Sequence, residues 1–428
     1  QLDATVVTVS LSVSASGGAA VGMAVAFLDV SNQSETKTRA SIDGATVAAD
    51  SGVTVSALND TELNAVGASV AVSIAASSTV AVGVTAVGAF VTNTSNAVTE
   101  ALIVNGASVT GPGAVDVTAS DTSLIDATVV AVSAGVAASG TGAVNLSVAA
   151  SYAGNTIGAA GVTAAKIADS TVDVDDAVTV SADMTATIDV VAVGVSFSLA
   201  ADGAMSVSGA GAATIAENNI GGDTLATVDN AVVTADALDV SAISQSQIDA
   251  VAVAASLAIS GSGGVSVSAA GAGVKAHNTT THDTEASIKG GSTVIATSGL
   301  ASVSVAASDL SSITADLVSV AASVGVSGAG SVNISIGATL AENSIGGSTS
   351  ALIDDATVTA STVNVHARND TEIDALAAAI SFSLGGSGGI TIGGAGAGVE
   401  THHTTTNTTE ALIRNGSNVT ATQGAGCG

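Results

Sequence analysis

The sequence predicts an all-β repeat protein: a β-solenoid of the parallel β-helix kind, built of tandem units and drawn out into an elongated rod. Three observations carry that reading. They are a period near 60 residues over the whole chain, columns of particular residue types that keep the same phase, and a composition dominated by Val, Ala, Ile, Thr, Ser and Gly. The pattern Ala-x-Ile/Val, a small polar turn and then Val recurs with its central residue at Ile42, Ile103, Ile167, Val228, Ile288, Ile353 and Ile413. The steps between them are 61, 64, 61, 60, 65 and 60 residues. A supersecondary unit copied head to tail buries its apolar face only against its neighbours, so the copies form one array. The seven units run approximately 1–59, 60–120, 121–182, 183–243, 244–308, 309–368 and 369–428.

Three further landmarks keep the same phase. Ten residues before the Ile/Val sit Asn32, Asn93, Asn218, Asn278 and Asn343, with His403 at that offset in the last unit and Asn155 displaced by two in the third. A second column holds Asp3, Asn64, Asp126, Asp189, Asp249 and Asp374, with Thr314 in the sixth unit. A Gly/Ser-rich break recurs as well, as in Ser16-Gly17-Gly18 and Gly261-Ser262-Gly263-Gly264. Stacked Asn side chains bond along such an array, whereas stacked carboxylates repel unless they face water or share cations.

Composition narrows the class. The 428 residues include 49 Gly, 1 Pro, 1 Cys and no Trp, with 10% charged and 1% aromatic residues, which rules out an ordinary globular core. β-branched residues suit a pleated surface, and Ala, Gly and Ser suit close approach between layers. Thirty-six acidic residues against seven basic ones give a formal charge of −29, which excludes nucleic acid as a partner because phosphate binding needs Lys and Arg. One cysteine forms no internal disulfide. The apolar runs 64–91 and 189–213 fail as membrane-spanning helices because they alternate with period two and contain recurrent Ser and Gly. Outer-membrane barrels alternate in the same way but carry aromatic girdles that this composition lacks, so no membrane span is expected.

Within a unit, 248–260 alternates, a Gly-Ser-Gly-Gly turn follows, 265–274 alternates again, and a polar stretch 277–283 reads as a loop. About five short strands per unit, arranged as two or three coils of roughly 20–30 residues, would stack at about 4.8 Å into a rod on the order of 70–100 Å long. A β-hairpin is the alternative for the two long alternating segments.

Segments such as Ala351-Leu352-Ile353-Asp354-Asp355-Ala356-Thr357-Val358-Thr359-Ala360, then Val363-Asn364-Val365-His366-Ala367, then Asn369-Asp370-Thr371-Glu372-Ile373-Asp374-Ala375 resemble the repeats of very large secreted bacterial adhesins of the filamentous-haemagglutinin-like type. The likeness covers the whole chain and is one of small and β-branched residue pattern. It implies an exported β-solenoid shaft at the cell surface or outside the cell, with host or cell-surface glycans or proteins as partners.

Candidate sites are few. His277, His282, His402 and His403 share one phase of the fifth and seventh units beside Thr279-Thr280-Thr281 and Thr404-Thr405-Thr406, a grouping that suggests Zn or Cu but falls short of a ligand set. Acidic turns such as Asp173, Asp175 and Asp176, or Asp354 and Asp355, admit peripheral Ca²⁺ yet lack the calcium-roll signature. A glycan-active enzyme needs carboxylates with Arg or aromatic platforms, and Tyr152, four Phe and Arg39, Arg368 and Arg414 are too scattered to supply them. No catalytic, cofactor-binding or metal residue is therefore assigned. Ten Asn-x-Ser/Thr sequons, Asn32, Asn93, Asn278, Asn407 and Asn418 among them, permit glycosylation of the polar stretch, and Cys427 stands past the last clear repeat. The expected function is an extracellular structural or adhesive fibre segment that stacks end to end in a filament or continues as a longer shaft, because neither end shows a polar cap. An ion-binding surface-layer or biofilm-matrix protein is the alternative.

Overall fold

A computed structural model describes residues 1–158, 160–296 and 301–421, and no helix occurs among them. Seven coils stack into a parallel β-solenoid rod, but each coil is a whole unit rather than a half or a third of one. The fourth coil shows the plan: a long front strand Val178–Asp202, a tight turn, a long back strand Met205–Asp229, a second turn, and a short base strand Val232–Ala235. Each strand pairs in parallel with its equivalents in the coils above and below; Val178 lies between Val115 and Leu238, and Asp189 between Asp126 and Asp249. Three sheets result: front, back and base.

Two expectations are corrected. The long alternating segments are not hairpins, because strands on either side of the tight turn belong to different sheets. Nor is 277–283 a loop; it lies in the middle of the 25-residue strand Val265–Lys289. Strands continue through such polar stretches because each inward polar side chain meets its copy one layer away. A 25-residue strand spans about 80 Å, while seven layers at about 4.8 Å rise only about 30 Å along the axis.

In cross-section each coil is a wedge. At the base, three sheets enclose a core of larger side chains, among them Ile103, Val109, Val115, Val117 and Ile167, all fully buried. Towards the tight turn only two sheets remain, and the inward residues of the fourth front strand shrink from Ile188 and Val190 through Ala192 and Gly194 to Ser196, Ser198 and Ala200. Facing Cα atoms there come within 8 Å, closer than the usual spacing of about 10 Å between packed sheets. Hydroxyls consequently reach across: Ser73 donates to the Gly22 carbonyl at 3.0 Å, Ser196 to Ser147 at 2.7 Å, and Ser383 to Asn333 at 3.0 Å.

The recurrent Ala-x-Ile/Val motif is explained by the turn from back strand to base strand. Its Ile/Val stacks in the base core, and the residue two positions later adopts a left-handed backbone in every coil: Gly44, Asn105, Asp169, Asn230, Gly290, Asp355 and Asn415, with φ between 47° and 66°. Only Gly, Asn and Asp occupy that column, the three residues that tolerate this conformation at least strain. The displaced Asn155 is in register after all, paired with Asn93 and Asn218. Its back strand is interrupted between Ile157 and Val162, where the third coil has two residues more than the neighbouring ladders span, and the phase is restored by Ile167.

Candidate functional surface

The expected Asn ladder runs the length of the stack, inside the back sheet. Asn32 Nδ2 donates to Asn93 Oδ1 at 3.0 Å, and Asn93, Asn155, Asn218 and Asn278 each pass the bond on at 2.8 Å. Asn343 Nδ2 and His403 Nδ1, 3.2 Å apart, end it. Asn93 and Asn278 are thereby buried and withdrawn from glycosylation. The Asp column also forms, on the outer front face. Partial burial, followed by the neighbouring carboxylates of Asp249 and Asp126, pushes the Asp189 carboxyl above the usual range.

The four histidines are not brought together. His277 points outward and pairs with Glu342 at 3.2 Å, Lys275 bonds the same carboxylate at 3.1 Å, and Glu342 separates His277 from His402 in the column. Lys275, with His277 beside it, holds the Glu342 carboxyl below the ordinary range. His282 points inward and is fully buried: its Nε2 lies 3.0 Å from Asp309 Oδ1, to which the Ser311 hydroxyl donates at 2.6 Å. The Asp309 partner comes from the front sheet, 27 residues on, a relation with no trace in the repeat phase. Among the described residues no three His, Cys, Asp or Glu side chains converge as a metal site. The arginines stay apart, Arg39 on Glu100, Arg368 on Asp370 and Arg414 on Asp354. Cys427 lies outside the described residues.

The aromatic residues are less scattered than their numbering suggests. Phe90 and Tyr152 share one outward column of the back sheet, and Phe27 stands two residues out of that register, over Gly88; ring centroids are 5.2 Å apart for Phe27 and Phe90 and 6.2 Å for Phe90 and Tyr152. The 62 residues between Phe90 and Tyr152 equal the register of their two coils, so the period was the signal for that pair, whereas Phe27 stands 63 residues before Phe90 against a register of 61. Tyr152 donates to Glu217 at 2.9 Å; burial, then that carboxylate, raises the phenol to about 12. Beside it lies a shallow polar depression of about 360 Å³, lined by Tyr152, Glu217, Asn219, His277 and Thr279 among others.

Charge is partitioned along the wedge. The seven stacked windows 6–28, 67–89, 129–151, 192–214, 252–274, 317–339 and 377–399, centred on the tight turns, contain a single one of the 43 Asp, Glu, Lys and Arg residues (36 acidic plus 7 basic), namely Asp202. Here the large residues face outward and the small ones inward; Leu146 remains 48% exposed and Ile336 58%. No family model, no curated protein and no solved structure matches the chain.

Proposed function

We propose that the chain is a segment of an extracellular structural fibre: a self-stacking β-solenoid shaft of a bacterial surface adhesin or filament. One observation supports this above the others. Every coil is joined to the next by a front and a back ladder in parallel register, up to 25 residues long and interrupted in the back strand of the third coil and the front strand of the seventh, so tension along the axis loads a whole ladder at once. Because all coils share one pattern, the face of one fits any other coil of the same kind, in this chain or another, by strand addition. The polar depression beside Tyr152 offers the shaft a contact for glycan or protein surfaces. Immunogold labelling of unpermeabilised source cells tests the reading; label along surface fibres supports it, and label seen only after permeabilisation rejects it. The stacked Asp126, Asp189 and Asp249 favour a second reading, an ion-binding surface-layer or biofilm-matrix protein, in which Ca²⁺ added to the folded chain raises its unfolding temperature.

A further inference from the structure

The charge-free half of the wedge is apolar on both outer faces, and the two faces differ in relief. On the front, Phe197 and Leu257 of the fourth and fifth coils form a ridge, with Ala134 beside them in the third coil and Ala322 in the sixth. On the back, Gly209, Gly211 and Gly271 of the fourth and fifth coils floor a trough of about 340 Å³, walled by Leu146 and Val148 on one side and Ile334 and Ile336 on the other. A ridge two strands wide faces outward on one sheet, and a trough two strands wide opens on the other.

We propose that a second copy of this chain covers this half, the front ridge of one copy seating in the back glycine trough of the other. Each arm of the windows reaches about 33 Å and the stack rises about 30 Å, so one face offers about 1,000 Å². A pair buries about 2,000 Å² in total, above the roughly 1,600 Å² of a standard stable interface. The formal charge of −29 sits almost wholly on the base half, so side-by-side copies with the same orientation repel. Opposed tips overlap their apolar halves and hold the charged halves apart. The contact is heterologous, leaving each copy one free front and one free back face, and lateral sheets grow from it. This association is independent of end-on stacking, which uses ladder edges.

The test is sedimentation velocity of the full chain at micromolar concentration, wild type against two variants. Phe197→Lys with Leu257→Lys charges the ridge. Gly211→Val with Gly271→Val fills the trough from its open side, where an added Cβ at Gly271 meets nothing within 4 Å and at Gly211 only Val148 at 3.9 Å, so the strands themselves are not disturbed. The wild type is expected to associate, and both variants to associate at least about tenfold more weakly with an unchanged β-sheet spectrum. Association that survives trough filling is end-on stacking alone and overturns the proposal. A monomeric wild type overturns it too, and if that monomer floats with phosphatidylcholine vesicles, lipid and not a second copy covers the apolar half.

Discussion

Asn145 on the back sheet fills the space directly opposite Gly135 on the front sheet, so that a Cβ on Gly135 would stand 2.6 Å from the Asn145 side-chain amide. The same complement recurs three coils on, where Asn333 faces Gly325. Where the back sheet instead has Gly22, the front sheet supplies Ser73, whose hydroxyl bonds the Gly22 carbonyl. Volume across the thin half of the wedge is thus shared between the sheets coil by coil.

Gly135→Ala is expected to destabilise the fold by about 1–3 kcal/mol through overpacking, because the Asn145 amide that the new Cβ meets is buried and held by its bond to Ser198. Combined with Asn145→Ala, the loss should be smaller than the sum of the two single losses, since the second change vacates the contested space. Denaturant midpoints of the four proteins measure the coupling; strict additivity would show that the two residues do not share one volume.

Breaking the Asn ladder in mid-stack should be felt on both sides. Asn218→Ala leaves Asn155 Nδ2 without its acceptor and Asn278 Oδ1 without its donor, both buried. A loss of about 2–4 kcal/mol is expected from two orphaned groups. Ser151→Ala, which removes one hydroxyl from a Ser–Thr contact in the same sheet, is the comparison and should lose about 1 kcal/mol.

The Asp column makes a prediction with a sign. A carboxyl whose pKa is raised by folding holds its proton more tightly in the folded chain, so its contribution is present below the unfolded pKa and is lost as pH rises through the folded value. Asp189 is such a group. Stability should therefore decline as pH climbs out of the acid range, and Asp189→Asn should remove part of that decline. The variant is expected to melt with the wild type at low pH and above it at pH 7; equal melting temperatures at pH 7 would show that the stacked carboxylates do not oppose each other.

A buried pair is the fourth test. Asp309→Ala strips His282 of its carboxylate partner, Asn369 of the acceptor it reaches at 2.9 Å and Ser311 of its own. It should cost about 3–5 kcal/mol, the range for removing one member of a buried pair. Arg368→Ala, at an exposed pair, should change stability by less than about 1 kcal/mol. Thermal unfolding of the two variants separates the cases.

Much of this architecture was legible beforehand, and the part that was not has a physical cause. The Ile42-to-Ile413 column fixed the period, and the Asn32-to-Asn343 column was already a ladder on paper. Coil size was misread because strands of 25 residues lie far beyond the usual 3–10, and polar runs such as 277–283 look like breaks when each residue is judged alone. Stacking supplies a partner for each inward polar group, which a single coil cannot show. The charge-free half was also hidden. Its apolar residues point outward, the reverse of the inside-out rule, and only the coil-to-coil register aligns the seven windows.

The interruption between Ile157 and Val162 gives the third coil a splice point. The third coil has two residues more there than the neighbouring ladders span, and the strands on both sides keep their partners. Extra sequence at that position adds length without shifting a single downstream layer, whereas an odd insertion within 206–229 would turn every following inward side chain outward. An epitope or a fluorescent tag placed after Gly158 is therefore expected to leave the coil stack intact, and a chain of this type can acquire a new appendage there while its layers stay unchanged.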